Sequence, residues 1–360
     1  MTKHSLLWRW LPVAVLLSGP ACVEYDFSGE PDKADATSDT AAMPPMETTE
    51  VPDEPLPTSS VSGKICDTSG GVWVVGAKVW VEIDDDGDGE IDRTLETTTD
   101  AEGAFTLDGL PAGEWILYVE KGSFSTTIEV SLDEGENLLA EPECLRPDVR
   151  IAVFRGDFDS IEGILTNMGL SYDMVNKTNQ RAFLLDPAQL NEYDLLFLNC
   201  GMSSNWLSDH AAVGNNLRTW VSEGGGLYAS DWAYYAIEAA YPDAVDFRGN
   251  DTRTSVAKMG AAETLQARVL DPIMQLLLGS DTATVEYDLD AWAMAVDVGA
   301  GSQVLVEGDV RTYSGAREDD APLAIQLHDG AGTAIYTSFH NERQINADME
   351  TLLREIILSL

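Results

Sequence analysis

A chain of 360 residues is long enough for two domains with cores of their own and tails besides. Its 21 Lys and Arg stand against 62 Asp and Glu, a formal charge of −41, and repulsion on that scale excludes nucleic acid and bare anionic lipid surfaces as partners. Charged partners are expected to be cationic, divalent metal ions among them, although the same charge also simply keeps an exported protein soluble.

Lys3 and Arg9 flank the start of a short apolar run, Leu11 to Leu17, which is too short to span a bilayer and has the size of a signal-peptide core. The following Ser18-Gly19-Pro20-Ala21-Cys22 resembles the lipobox of bacterial lipoproteins. The resemblance implies that residues 1–22 are a lipoprotein signal peptide and that Cys22 is lipidated. The protein is then exported to the cell envelope, as an outer-membrane lipoprotein that touches the membrane through its lipid anchor only. Ordinary secretion or a periplasmic location is the alternative. Residues 23–60 are rich in Asp, Glu, Thr, Ser and Pro and poor in large apolar side chains, so they are expected to form a disordered acidic linker.

From 61 to 145 the pattern is all β. The runs VSGKIC, AKVWVEI, AFTL, WILYVEK and STTIEVSL alternate or are β-branched, and turn clusters such as DTSGG, DAEG and LPAG divide them. Several short strands in one such segment predict a small sandwich. Within it, DDDGDGEID places Asp84, Asp86, Asp88, Glu90 and Asp92 at alternating positions with glycines for a sharp bend, the pattern of a loop that wraps Ca²⁺; an acidic hairpin turn is the alternative. Cys66 and Cys144 sit at the two ends of the sandwich and are expected to pair in an oxidising compartment, which leaves Cys200 over. The stretches VSGKICD, GAKVWVEIDDDGDG and TTTDAEGAFTLDGLPAGEWILYVEKGSF resemble the carboxypeptidase regulatory-like, prealbumin-like β-sandwich of extracellular bacterial proteins. That resemblance implies a structural or adhesive module without catalysis.

From 148 to 360 strands and helices alternate, which predicts an α/β domain. VRIAVF reads as a buried strand, Asp159 or Ser160 as the cap of a helix stopping at Gly169, and LSYDMV and LLFLNC as further strands. A helix to Val221 runs into Gly224, Gly225 and Gly226, which suit a helix stop and a tight turn. The strand Leu227 to Ala229 then delivers Ser230 and Asp231 to its carboxyl end, where open α/β sheets carry ligands and chemistry. A hairpin over PLAIQLHDGAGTAIYTSFHNE follows late in the chain, its turn holding His328 and Asp329. A closing helix carries Met349, Leu352, Leu353, Ile356, Ile357 and Leu360 on one apolar stripe.

The segments YDLLFLNCG, LRTWVSEGGGLYASDW and GTAIYTSFHNE resemble the class I glutamine amidotransferase-like fold, in particular its trehalose-utilisation-like branch. The resemblance implies a flavodoxin-like three-layer domain over 148–360, so that the whole chain is a small all-β sandwich followed by that domain. In amidotransferases a cysteine stands at the elbow after the second segment and a His-x-Glu pair closes the site from the third. His340 and Glu342 match the pair, but the elbow holds Ser230 and Asp231 with no cysteine, and Cys200 falls in the strand-end loop that supplies oxyanion donors in the family. An amide hydrolase of this type needs a thiolate beside an imidazole, so glutaminase activity is not expected.

Three functions remain open to the sequence. The α/β domain binds a small molecule or carbohydrate with a degenerate site, a reading to which the aromatic cluster Trp206, Trp220, Trp232, Tyr234 and Tyr235 contributes. Alternatively, Ser230 works with His340 and Glu342 as a serine triad, or Asp231 acts beside His340 as a general base or metal ligand. Otherwise the chain is a surface scaffold for protein contacts, with Ser230 and Asp231 plain helix-capping residues.

Overall fold

The structure, a computed structural model, describes residues 58–248, 256–340 and 345–360. The signal segment, Cys22 and nearly all of the linker lie outside the described residues, as does Glu342. Among the described residues no helix is long and apolar enough to cross a membrane.

The first domain is built from β1 (Thr58–Cys66), β2 (Lys78–Ile83), β3 (Arg93–Thr98), β4 (Ala104–Pro111), β5 (Gly113–Lys121), β6 (Phe124–Leu132), β7 (Gly135–Leu138) and β8 (Glu143–Cys144). One sheet runs β4-β1-β7 with β8 also on β1, and the other runs β3-β2-β5-β6. Alternation sets the inner faces: Val79, Val81 and Ile83 of β2 and Phe124, Ile128, Val130 and Leu132 of β6 are buried, while the residues between them in β6 are exposed or polar. β3 and β7 are polar and mostly exposed and β8 is two residues long, so no apolar alternation marks them in the sequence.

The second domain continues with β9 (Ile151–Phe154), α1 (Ile161–Asn167), β10 (Tyr172–Val175), α2 (Gln180–Leu184), α3 (Pro187–Leu190), β11 (Leu195–Leu198), α4 (His210–Ser222), β12 (Gly226–Ser230) and α5 (Tyr234–Ala240). An excursion follows through β13 (Val245–Asp246), β14 (Lys258–Met259), β15 (Glu263–Val269), α6 (Pro272–Leu278), β16 (Thr282–Tyr287), β17 (Ala293–Met294), β18 (Asp297–Val298), β19 (Ser302–Arg311) and β20 (Arg317–Asp329). β21 (Gly332–Thr337) and α7 (Ala347–Leu358) complete it. The sheet order β10-β9-β11-β12-β21 is parallel throughout and has the flavodoxin-like order 2-1-3-4-5, and β20, β19, β15 and β16 extend it antiparallel.

Successive residues of the parallel strands enter opposite layers. Ile151, Val153, Leu195 and Phe197 pack towards α1 and α7, whereas Ala152, Phe154, Leu196 and Leu198 pack towards α2, α4 and α5. This split accounts for strands that are apolar on both faces and for the three-layer architecture. The three consecutive glycines do separate jobs. Gly224 takes φ +114° just past the end of α4, whereas a Cβ on Gly225 would meet the Trp220 ring at 2.5 Å and one on Gly226 would meet Leu195 at 2.4 Å. Only the first is a helix stop; the other two allow close packing.

The two domains share one core. A single apolar cluster runs from Val61 and Ile65 through the sandwich to Leu352, Ile356 and Leu360 of the closing segment. Polar ties reinforce it: Lys121 Nζ lies 2.6 Å from Glu355, Arg354 lies 2.7 Å from Asp67, and the Ser123 hydroxyl donates to the Leu360 carbonyl at 2.7 Å. The sandwich is therefore docked on α7.

Candidate functional site

Parallel strands end in register, and this is what gathers the site. Ser230 at the end of β12 lies opposite Thr337 at the end of β21, and β11 ends beside them at Leu198, two residues before Cys200. Asp231 follows with φ +44°, a region that favours glycine, and opens a single 3₁₀ turn, Asp231–Ala233, before α5. A strained strand-to-helix elbow of this kind presents its side chain over the sheet's edge.

The hydrogen bonds assign the polar groups. The Ser230 hydroxyl donates to Asp159 Oδ2 at 2.5 Å and accepts the Cys200 backbone N–H at 2.9 Å. Its proton is thus given to the Asp159 carboxylate, which makes Ser230 a positioning residue; Glu342, the third member of the serine triad read from the sequence, lies outside the described residues. Asp159 is buried rather than acting as a solvent-side helix cap; burial holds its carboxyl above the usual range, opposed by the charge of His340 and the Ser230 hydroxyl. The sequence reading missed Asp159 as a site residue because an Asp-Ser pair before an apolar run is equally a helix-start signal.

Asp231 is buried and uses both carboxylate oxygens. Oδ1 accepts the Ala293 backbone N–H at 2.5 Å; Oδ2 accepts the Cys200 thiol at 3.2 Å and lies 3.5 Å from His340 Nε2. Cys200, left without a role by the sequence, is therefore part of the constellation. Burial and the neighbouring Asp231 charge push its thiol pKa up, so it is protonated and not a ready nucleophile. The Cys200 loop sits where it does because Gly156 has no side chain: a Cβ there would stand 2.1 Å from the Cys200 carbonyl oxygen. The backbone just before His340 is tied to the strand end by hydroxyls, with those of Tyr228 and Thr337 2.8 Å apart and Thr337 donating to the Phe339 carbonyl at 2.6 Å.

Cys200, Asp231 and His340 open onto a cleft of about 260 Å³. Its walls are aromatic: Phe158 from the β9 side, Trp232 from the elbow, and Tyr287 stacked on Trp292 at 4.1 Å from the excursion. Glu286, Asp288 and Asp290 line it as well. The Trp232 indole N–H donates to the Ala291 carbonyl at 2.8 Å and that of Trp292 to the Ala261 carbonyl at 2.9 Å, which hold the two rings in place. Of the aromatic cluster read from the sequence, only Trp232 faces the cleft; Trp206, Trp220, Tyr234 and Tyr235 are buried core residues. The missed wall is written as YDLDAW, residues 287–292, an acid–aromatic run that the sequence reading passed over.

In the sandwich, oxygens of Asp84, Asp86 and Asp88 lie within 4.8 Å of one another, while Glu90 and Asp92 do not join them. The Asp84 carboxylate accepts the Gly87 and Gly89 amides and that of Asp92 accepts the Asp85 amide, so the loop is closed by its own side chains. Those amides hold the Asp84 carboxyl below its usual value. Cys66 and Cys144 form a disulfide, across the register position where β1 and β8 pair. His328 bonds Thr333 across the β20–β21 hairpin, at 3.0 Å, remote from the cleft.

Residues 60–141 match the carboxypeptidase regulatory-like domain. No curated protein matches the chain. Among solved structures, the chain is similar to a cytoplasmic protein from Salmonella typhimurium, with 15% identity and a TM-score of 0.40 over 58% of this chain and 97% of that one. It is also similar to a ThuA-like protein from Parabacteroides merdae, with 14% identity and a TM-score of 0.38 over 59% of this chain and 89% of that one. At these identities the likeness says nothing of chemistry. Beyond the carboxypeptidase regulatory-like domain, the functional reading rests on the cleft itself.

Proposed function

We propose that the α/β domain binds a small polyhydroxylated molecule, a carbohydrate or similar polyol, in the cleft at the carboxyl ends of its parallel strands, without covalent catalysis. The observation that carries this reading is the lining: aromatic rings whose positions are fixed, set beside carboxylates that accept hydrogen bonds from hydroxyl groups. A protonated Cys200 and a Ser230 hydroxyl committed to Asp159 argue against an amidotransferase-type nucleophile. The test is calorimetric titration of the full chain with neutral sugars and polyols, repeated on Trp232→Ala. Binding to the wild type that weakens at least tenfold in a folded Trp232→Ala supports the reading. Absence of binding by every sugar, or binding indifferent to Trp232, overturns it in favour of a scaffold.

One observation favours a second reading, hydrolysis by Asp231 with His340: the left-handed backbone at the elbow, which has the form of a strained catalytic turn. Turnover of a glycoside or sugar ester that is lost in Asp231→Asn would establish it.

We also propose that the chain is exported and lipidated on Cys22. The apolar run before Cys22 supports this, and so does the Cys66–Cys144 disulfide, a bond that persists in oxidising compartments. Metabolic labelling with a fatty acid, lost in Cys22→Ser, is the expected result; equal labelling of both chains would sink it.

A further inference from the structure

We infer that Cys200, Asp231 and His340 form a binding site for a thiophilic divalent cation of the Zn²⁺ class, at the floor of the cleft. The three residues come from three different strand ends, those of β11, β12 and β21, which the parallel register brings together. Their ligand atoms, one sulfur, one carboxylate oxygen and one imidazole nitrogen, all lie within 4.8 Å of one another. Asp231 Oδ2 stands 3.2 Å from the Cys200 sulfur and 3.5 Å from His340 Nε2. Ligands at the usual ~2.0–2.3 Å from a tetrahedral Zn²⁺ are separated by roughly 3.3–3.6 Å, so the site needs only small adjustments to close around an ion.

The donor set selects the ion. A thiolate, an imidazole and a carboxylate suit Zn²⁺ and disfavour Ca²⁺ and Mg²⁺, which take oxygen ligands. Charge balances as well: the cation displaces the thiol proton to solvent, and Zn²⁺ with one thiolate, one carboxylate and a neutral imidazole is net neutral. The ligands are held by partners that leave their ligating atoms turned inward. Ala293 N–H holds the other oxygen of Asp231, and Ser230 holds the Cys200 backbone. Cys200 and Asp231 are buried, whereas His340 borders the open cleft, so the fourth coordination position faces the space where a small molecule enters. Three protein ligands and one open position are the arrangement of zinc sites that carry a water or a ligand oxygen. The inference does not depend on which organic molecule fills the cleft.

The test uses the full chain with Cys22→Ser in every sample, so that Cys200 is the one free thiol beside the Cys66–Cys144 disulfide. One equivalent of Co²⁺ is added to metal-free protein. The expected result is a sulfur-to-cobalt charge-transfer band together with intense tetrahedral visible absorption, both displaced by Zn²⁺. Cys200→Ser abolishes the charge-transfer band, and His340→Ala weakens Zn²⁺ binding at least 100-fold in competition with a chelator. Because the band reports sulfur ligation, cations held by Asp84, Asp86 and Asp88 do not produce it. A wild type that gives no band, or a band that persists in Cys200→Ser, overturns the inference. Should Cys200→Ser fail to fold, undiminished Zn²⁺ affinity in His340→Ala overturns it equally.

Discussion

Asp231 illustrates how much one residue carries at the strand end. Its φ of +44° costs an ordinary side chain about 1–2 kcal/mol, and Asn and Asp bear this conformation better than most because their short polar groups bond locally. In return its carboxylate satisfies the buried Ala293 amide and receives the Cys200 thiol. Asp231→Asn keeps a carbonyl oxygen for the Ala293 N–H and tolerates the elbow, so its stability is expected to fall by less than about 1 kcal/mol. Asp231→Ala leaves that amide unpaired in the interior and puts an alanine in left-handed backbone, and is expected to lose about 2–4 kcal/mol. Urea denaturation of both variants checks the ordering, and equal losses would show that the carboxylate's hydrogen bond to Ala293 has no structural role.

At the scale of the element, α7 is where the two domains meet. Its apolar stripe was legible from the 3.6-residue spacing of Met349, Leu352, Leu353 and Ile356, but the stripe alone does not say what covers it. The sandwich covers part of it, and Lys121 from β5 pairs with Glu355 on the helix. That pair was beyond sequence reading because its partners are 234 residues apart. The same holds for the cleft: the strand end that carries Ser230 and Asp231 followed from local pattern and His340 from the family resemblance, whereas Trp292 and Asp159 reach them only through the sheet's long-range order. Burial pushes the Glu355 carboxyl up to about 7, with Lys121 acting in the opposite direction. The folded chain therefore keeps a proton that the unfolded chain, with an ordinary glutamate pKa of about 4.3, has released. This contribution to stability is complete below about pH 4.3 and is lost as the pH rises through about 7. Between pH 5 and 8 the unfolding free energy of the wild type is expected to fall by about 2–3 kcal/mol relative to Glu355→Gln, which has no proton to lose there. Parallel stability curves for the two chains would contradict that assignment.

For the whole molecule, the shared core decides how it unfolds. The sequence divides cleanly into an all-β and an α/β part, each long enough for a core of its own. The structure runs one apolar cluster through both parts, and the Cys66–Cys144 disulfide lies next to Asp67, whose carboxylate holds Arg354 of α7. The disulfide links residues 78 apart, and removing such a cross-link costs about 3–5 kcal/mol through the unfolded chain's regained freedom. If the parts were independent, only the sandwich would feel that loss. Because α7 rests on the sandwich, the α/β domain is expected to lose stability with it. Calorimetry of the full chain should give one cooperative transition, and the double substitution Cys66→Ser, Cys144→Ser should shift that single transition to lower temperature without splitting it. Near-ultraviolet signals distinguish the alternatives, since Trp80 and Trp115 lie in the sandwich and Trp206, Trp220 and Trp292 in the α/β domain. A double variant whose sandwich melts early while the α/β aromatic signal keeps its original midpoint would show that the common core does not couple the domains.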